Sequence, residues 1–187
     1  MAVDGDAGAN VRRMWALPPF FTLQPVLATR QKQLAMWVDL VVDHVRAHKQ
    51  NVLYVHEPQG STTANIFHNP AINRKLSPEG VRAVFDEVVS RGYGIWRDAS
   101  QTAIVMSDRT VQELSQLIYQ WAKDTQHMNE ICTIFELHSG DSTMGQPFHG
   151  ANDQVLAAAV RLLADKGQAS IIPAETSDET GVKFLDQ

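Results

Sequence analysis

A chain of 187 residues is long enough for one large domain or two small ones. A composition of 44% hydrophobic and 20% charged residues excludes a disordered chain. A net charge of −5 speaks against nucleic acid or an anionic membrane as the main partner, because contact with phosphate needs clustered Lys and Arg.

Residues 1–14 are small and polar and are expected to form a disordered extension. They lack the apolar core of a signal peptide, and nowhere does an apolar run approach the roughly 18 residues of a membrane span. The lone Cys132, inside "ICTIF", allows no disulfide within the chain and reads as a small buried hydrophobe. A cytosolic location is the simplest expectation.

Residues 15–28 contain "PPFFTLQP", Pro18 to Pro25, and show no helical period. They read as an extended arm, partly polyproline II, because each proline fixes φ and turns the residue before it away from helix. Consecutive side chains on an extended chain point to different sides. Phe20 and Phe21 therefore either anchor in two pockets of another protein or fold back onto their own domain, and one ring can do each. The prolines favour docking by lowering the entropy lost on binding.

A helix over about 30–48 follows, with Leu34, Trp37, Val38, Val41 and Val45 on one stripe. "NVLYV" (51–55) is β-prone, and 57–76 is a loop with room for one short helix. The next helix is well signalled: Ser77 caps, Pro78 suits the first position, Val81, Val84, Phe85, Val88 and Val89 keep the period, and Gly92 ends it. "YGIWR" and "AIVM" make a hairpin. The order then repeats. A helix over about 109–124 carries Val111, Leu114, Ile118 and Trp121, followed by the apolar run "ICTIFEL" (131–137) and a loop rich in Gly, Ser and His. A helix over about 152–166 opens at Asn152, carries Leu156, Ala159, Val160 and Leu163, and ends at Gly167, 75 residues after Gly92. A second hairpin, "ASII" with "GVKFL", closes the chain. Helices backed by a hairpin describe the winged variant of the helix-turn-helix. The fold class predicted is α+β: two tandem winged-helix domains, 29–107 and 108–187, preceded by the arm.

A DNA-binding winged helix puts basic residues at phosphate. Over 77–91 there are Arg82 and Arg91 against Glu79, Asp86 and Glu87, and over 152–167 Arg161 and Lys166 are matched by Asp153 and Asp165. The second wing loop, "PAETSDETG", holds Glu175, Asp178 and Glu179 and no base. Protein–protein use of the fold is the better reading, with a DNA-binding transcription regulator as the alternative.

No catalytic or metal constellation emerges. His44 and His48 are spaced for one helix face but lack a third ligand, and they sit where imidazole suits the helix C-terminus. His68, His138 and His149 lie in loops without ligand spacing. His138, Ser139, Asp141 and Ser142 are too close along the chain for a triad and read as a solvated turn. No enzyme activity and no cofactor are expected.

Five motifs in order, "PPFFTLQP", "TRQKQLAMW" (29–37), "LIYQW" (117–121), "FHG" (148–150) and "GVKF" (181–184), resemble the vacuolar protein-sorting protein 25 family, the small subunit of the endosomal sorting complex ESCRT-II. The resemblance covers about residues 15–185. It implies two tandem winged helices, and two copies of the chain joined to one copy each of two larger winged-helix subunits. The matching positions Pro18, Pro19, Phe20 and Phe21 would dock on a larger subunit. The second domain would bind the first ESCRT-III subunit, a charged multivesicular body protein. The complex would be cytoplasmic, recruited to the endosomal membrane, and would sort ubiquitinated membrane proteins into multivesicular bodies. Ubiquitin and lipid contacts would belong to a larger subunit. Val26 stands where the family motif often continues with Asn. Truncating Phe20 and Phe21 to Ala is expected to abolish docking and leave the fold intact.

Overall fold

The computed structural model describes residues 13–57 and 66–186. Residues 1–12 of the expected extension and 58–65 of the first long loop lie outside the described residues.

Helix α1 spans Leu27–His48, three residues ahead of the expected start. It begins there because Pro25 and Val26 set up the first turn: the Arg30 N–H donates to Val26 O at 2.9 Å. The stripe predicted from spacing is the buried face, with Leu34, Trp37, Val38, Val41 and Val45 all in the core. Lys49 stops the helix in the left-handed conformation, φ 54°.

Strand β1 (Val52–Tyr54) follows. Within the described part of the first long loop, β2 (His68–Asn69) pairs antiparallel with β3 (Arg74–Lys75) around a single 3-10 turn, Pro70–Ile72. Helix α2 (Pro78–Ser90) opens as the sequence signals, with Ser77 Oγ accepting from the Gly80 N–H at 3.2 Å. Strands β4 (Gly94–Trp96) and β5 (Ala103–Met106) form the hairpin, and the sheet order is β1-β5-β4. At Gly94 the strands approach so closely that a Cβ would lie 2.7 Å from the Val105 carbonyl oxygen.

The second pass uses the same parts. Helix α3 (Val111–Asp124) starts in a capping box between Thr110 and Glu113. Strand β6 (Ile131–Thr133) takes only the first three residues of "ICTIFEL"; the rest turns into helix α4 (Ile134–Ser139). Helix α5 (Asp153–Asp165) opens at Asn152, whose Oδ1 accepts from the Gln154 N–H at 2.9 Å. Strands β7 (Ala169–Ile172) and β8 (Gly181–Phe184) complete an antiparallel sheet of order β6-β8-β7. In both three-stranded sheets the third strand lies between the first and second, the order expected of a winged helix. Gly92 and Gly167 both hold positive φ, 77° and 73°, after their helices.

The residues group into two compact units. Among the described residues, the first holds those up to Arg91 together with Trp96–Ile104; the second holds Gly92–Ile95 and those from Val105 to Asp186. The core of the first is aromatic, with Trp37, Phe67 and Phe85 in a chain of ring contacts at 5.5 and 5.6 Å. The second is built around Trp121, with Phe148 and Phe184 at 5.8 and 6.4 Å.

The proline–phenylalanine segment is not extended through its centre. Pro18–Phe21 forms a 3-10 turn between an extended Leu17 and an extended Thr22. Two prolines with fixed φ favour a turn as readily as polyproline II; the difference lies in ψ, which packing sets. Nor do the rings project from the unit: Phe20 is 2% and Phe21 4% exposed.

Candidate docking site

The turn is held to α1 by two side chains four residues apart, Gln33 and Trp37. The Gln33 amide donates to the carbonyls of Phe20 and Thr22, both at 2.9 Å, and its oxygen accepts from the Gln24 N–H at 3.1 Å. The Trp37 indole N–H also donates to Phe20 O, at 3.2 Å. Gln33 is buried with its hydrogen-bonding capacity used, so its burial carries little desolvation penalty.

The rings complete the anchor. Phe20 stacks on Trp37 with centroids 4.4 Å apart and planes 14° from parallel. Phe21 meets the same indole edge-on at 5.5 Å. Trp15, in the helical turn before, lies 6.3 Å from Phe21 and donates its indole N–H to Ile66 O at 3.0 Å. The Asn69 amide returns a bond to Trp15 O at 3.0 Å. What faces solvent is the other side of the turn: Leu17, Pro18 and Pro19, with Val26 and Leu27 at the start of α1. Gln24 folds its amide back onto Pro19 O and Thr22 O, and Arg30 Nε donates to Gln24 O at 2.7 Å. The result is a fixed apolar ridge with buried roots.

Of the four residues singled out in the sequence, all lie in this one turn, two as exposed ridge and two as buried root. Gln33 escaped the sequence reading because the stripe on α1 was sought among apolar residues only. Its spacing, four before Trp37, was the available signal.

The remaining candidates fall elsewhere. His44 is buried; burial pushes its pKa below the usual imidazole value, partly offset by its bond to Gln50 Oε1 at 3.3 Å. His48 stacks on it at 4.2 Å and reaches back to His44 O. His138 and Ser139 touch, Oγ to Nδ1 at 2.6 Å, at the exposed end of α4, while His149 bonds the buried Thr143 hydroxyl at 2.9 Å. Among the described residues no three His, Cys, Asp or Glu side chains gather as a metal site. Cys132 is buried, and desolvation pushes its thiol up to about 12, so it stays protonated at neutral pH. Among the described residues no helix is long and apolar enough to cross a membrane.

The vacuolar protein-sorting-associated protein 25 of Danio rerio is 41% identical over 168 residues, 90% of this chain and 94% of the relative. The Homo sapiens protein of the same name is 39% identical over 171 residues, 91% and 94% of the two chains. The fold is shared with the crystal structure of subunit VPS25 of the endosomal trafficking complex ESCRT-II, at TM-score 0.72 and 23% identity, covering 91% of this chain and 97% of that one. It is also shared with a chain of the endosomal complex ESCRT-II (VPS22/VPS25/VPS36), at TM-score 0.73 and 22% identity over the same shares. The sequence model of the family described as ESCRT-II complex subunit matches residues 14–152. On a family match that spans the ridge, α1 and most of the second unit, and on relatives near 40% identical along nearly their whole length, this chain belongs to the ESCRT-II complex subunits.

Proposed function

We propose that the chain is the small, non-enzymatic subunit of an ESCRT-II complex, acting in endosomal trafficking as an adaptor between two assemblies. Its first contact is with the two larger subunits. Its second, made by residues 108–187, is with the first ESCRT-III subunit. Through these contacts it takes part in sorting ubiquitinated membrane proteins into multivesicular bodies, from the cytoplasm and at the endosomal membrane. The names of the relatives and of the structurally similar complex support the first contact.

The observation that carries the reading is the ridge at Leu17, Pro18 and Pro19. Three apolar residues stay in solvent although the turn that bears them is fixed by Gln33, Trp37 and two buried rings. A preformed apolar projection loses little entropy on docking. The docking role of Pro18, Pro19, Phe20 and Phe21 is thereby divided: the prolines make the contact and the phenylalanines hold its shape.

The test is the mass of the complex formed with the two larger subunits, by light scattering on a sizing column. The intact chain should add two copies. A Leu17→Ser, Pro18→Ser, Pro19→Ser variant should stay folded, with its melting temperature lowered only by the backbone freedom the two prolines had removed, and bind at least about tenfold more weakly. Equal assembly by the variant would refute the ridge as the contact.

A further inference from the structure

Four of the helices α1 to α5 open on a capping side chain. Ser77, Thr110, Thr133 and Asn152 each accept from a first-turn N–H. Each of the four also has an acidic residue in its first turn, Glu79, Glu113, Glu136 and Asp153, which suits the positive end of a helix. Helix α1 has neither. Its N-cap is Val26, no side chain caps it, and its first turn holds no acid. Yet at 22 residues it is the longest of the five and carries the core stripe of the first unit.

Valine is among the poorest residues at an N-cap, because it offers no acceptor to the free N–H groups of the first turn. The backbone does not force the choice. Val26 has φ −77° and ψ 124°, the extended conformation that capping residues adopt. An Asn at this position could accept from the N–H of Ala28 or Thr29 with the chain as it stands, and Asn is the residue with which the family motif often continues.

The same residues break the burial rule. Val26 is 62% exposed, and Leu27 beside it 67%. A lone exposed valine is ordinary, but here a cap is given up and two large apolar side chains stay in solvent at adjoining positions. Local rules broken together mark a functional site.

Hydrogen bonds join this pair to the proline ridge. The Gln24 side-chain amide donates to Pro19 O at 3.1 Å, Gln24 O accepts from Arg30 Nε at 2.7 Å, and the Arg30 N–H donates to Val26 O at 2.9 Å. The start of α1 is therefore held to the ridge and continues its apolar surface. From Leu17 to Val38 the sequence has two bases, Arg30 and Lys32, and no acid. A second copy presenting the same segment would meet like charge, which disfavours self-association there.

We infer that Val26 and Leu27 form a second anchor, seated in an apolar pocket of a larger ESCRT-II subunit next to the contact made by the prolines, and that residue 26 helps to select which larger subunits the chain accepts. The inference rests on the reading that the ridge docks on those subunits. Selection follows from the chemistry: a pocket lined with polar groups would have them buried and unpaired against valine, so it is rejected.

The test titrates the full chain into a complex of its two larger subunits by calorimetry, with the melting temperature of each free variant measured alongside. Val26→Asn should act with opposite signs. The free chain should melt higher, because the cap is gained, and bind at least about tenfold more weakly, because the apolar anchor is lost. A higher melting temperature with wild-type affinity would overturn the proposal. A lower melting temperature would show that Val26 packs within its own chain, and would overturn it too. Leu27→Gln exchanges two good helix formers, so it should melt like the wild type and bind at least about tenfold more weakly. Wild-type affinity in this variant also counts against the anchor. The Leu17→Ser, Pro18→Ser, Pro19→Ser variant separates the two claims. If it fails to bind while both α1 variants bind fully, the ridge reading stands and this inference falls. If the wild-type chain does not bind the larger subunits, both fall. Self-association of the free chain that Val26→Asn abolishes would assign the pair to a second copy and overturn the proposal.

Discussion

Gln33 and Phe20 show how a motif that looks like a free arm becomes part of a core. Phe20 stacks on Trp37 while its carbonyl takes bonds from Trp37 and Gln33. Replacing Phe20 by Ala removes a buried ring from a packed site, a change that costs about 3–5 kcal/mol. The expected result is a clear drop in the thermal midpoint, followed by near-ultraviolet circular dichroism, together with loss of docking. A variant that melts like the wild type but does not dock would show that the ring acts outside the unit. The two phenylalanines were legible in the sequence as important. Their direction was not, because it depends on Gln33 and Trp37, residues supplied by the next element.

At the scale of elements, capping side chains mark where helices open. Ser77, Thr110 and Asn152 each accept from a first-turn N–H of the helix they open. Thr133 does the same: its hydroxyl accepts from the Glu136 N–H at 3.1 Å, and the Glu136 carboxylate accepts from the Thr133 N–H at 2.6 Å. The signal, Thr133 followed three residues later by Glu136, was present inside "ICTIFEL" but was masked by an apolar run that suits a strand equally well. Thr133→Val keeps the shape and removes the cap. It should cost about 1 kcal/mol, seen as a lower urea midpoint with an unchanged slope. No change in midpoint would mean that packing of Ile134 and Leu137, and not the cap, holds the helix in place.

At the scale of the whole molecule, charge and fold point to proteins as partners. The chain carries −5, and the wing loop that would meet phosphate in a DNA complex holds Glu175, Asp178 and Glu179. Mobility-shift titration with duplex DNA at physiological salt should give no complex below about 10⁻⁴ M, the weak end of non-specific binding. Tight, salt-sensitive binding would reverse the choice of partner class. The sequence by itself determined the repeated order of helix, strand, helix and hairpin, the two glycines that end the equivalent helices, and the core stripes. These are local: periodicity, caps and positive φ are properties of neighbours along the chain. Only the tertiary structure decided that the proline–phenylalanine turn is rooted in Trp37, and that Ile131 and Ile172, from the two outer strands of one sheet, flank Gly181. Those residues are brought together by strand register and by hydrogen bonds between segments far apart in sequence, which no local pattern encodes.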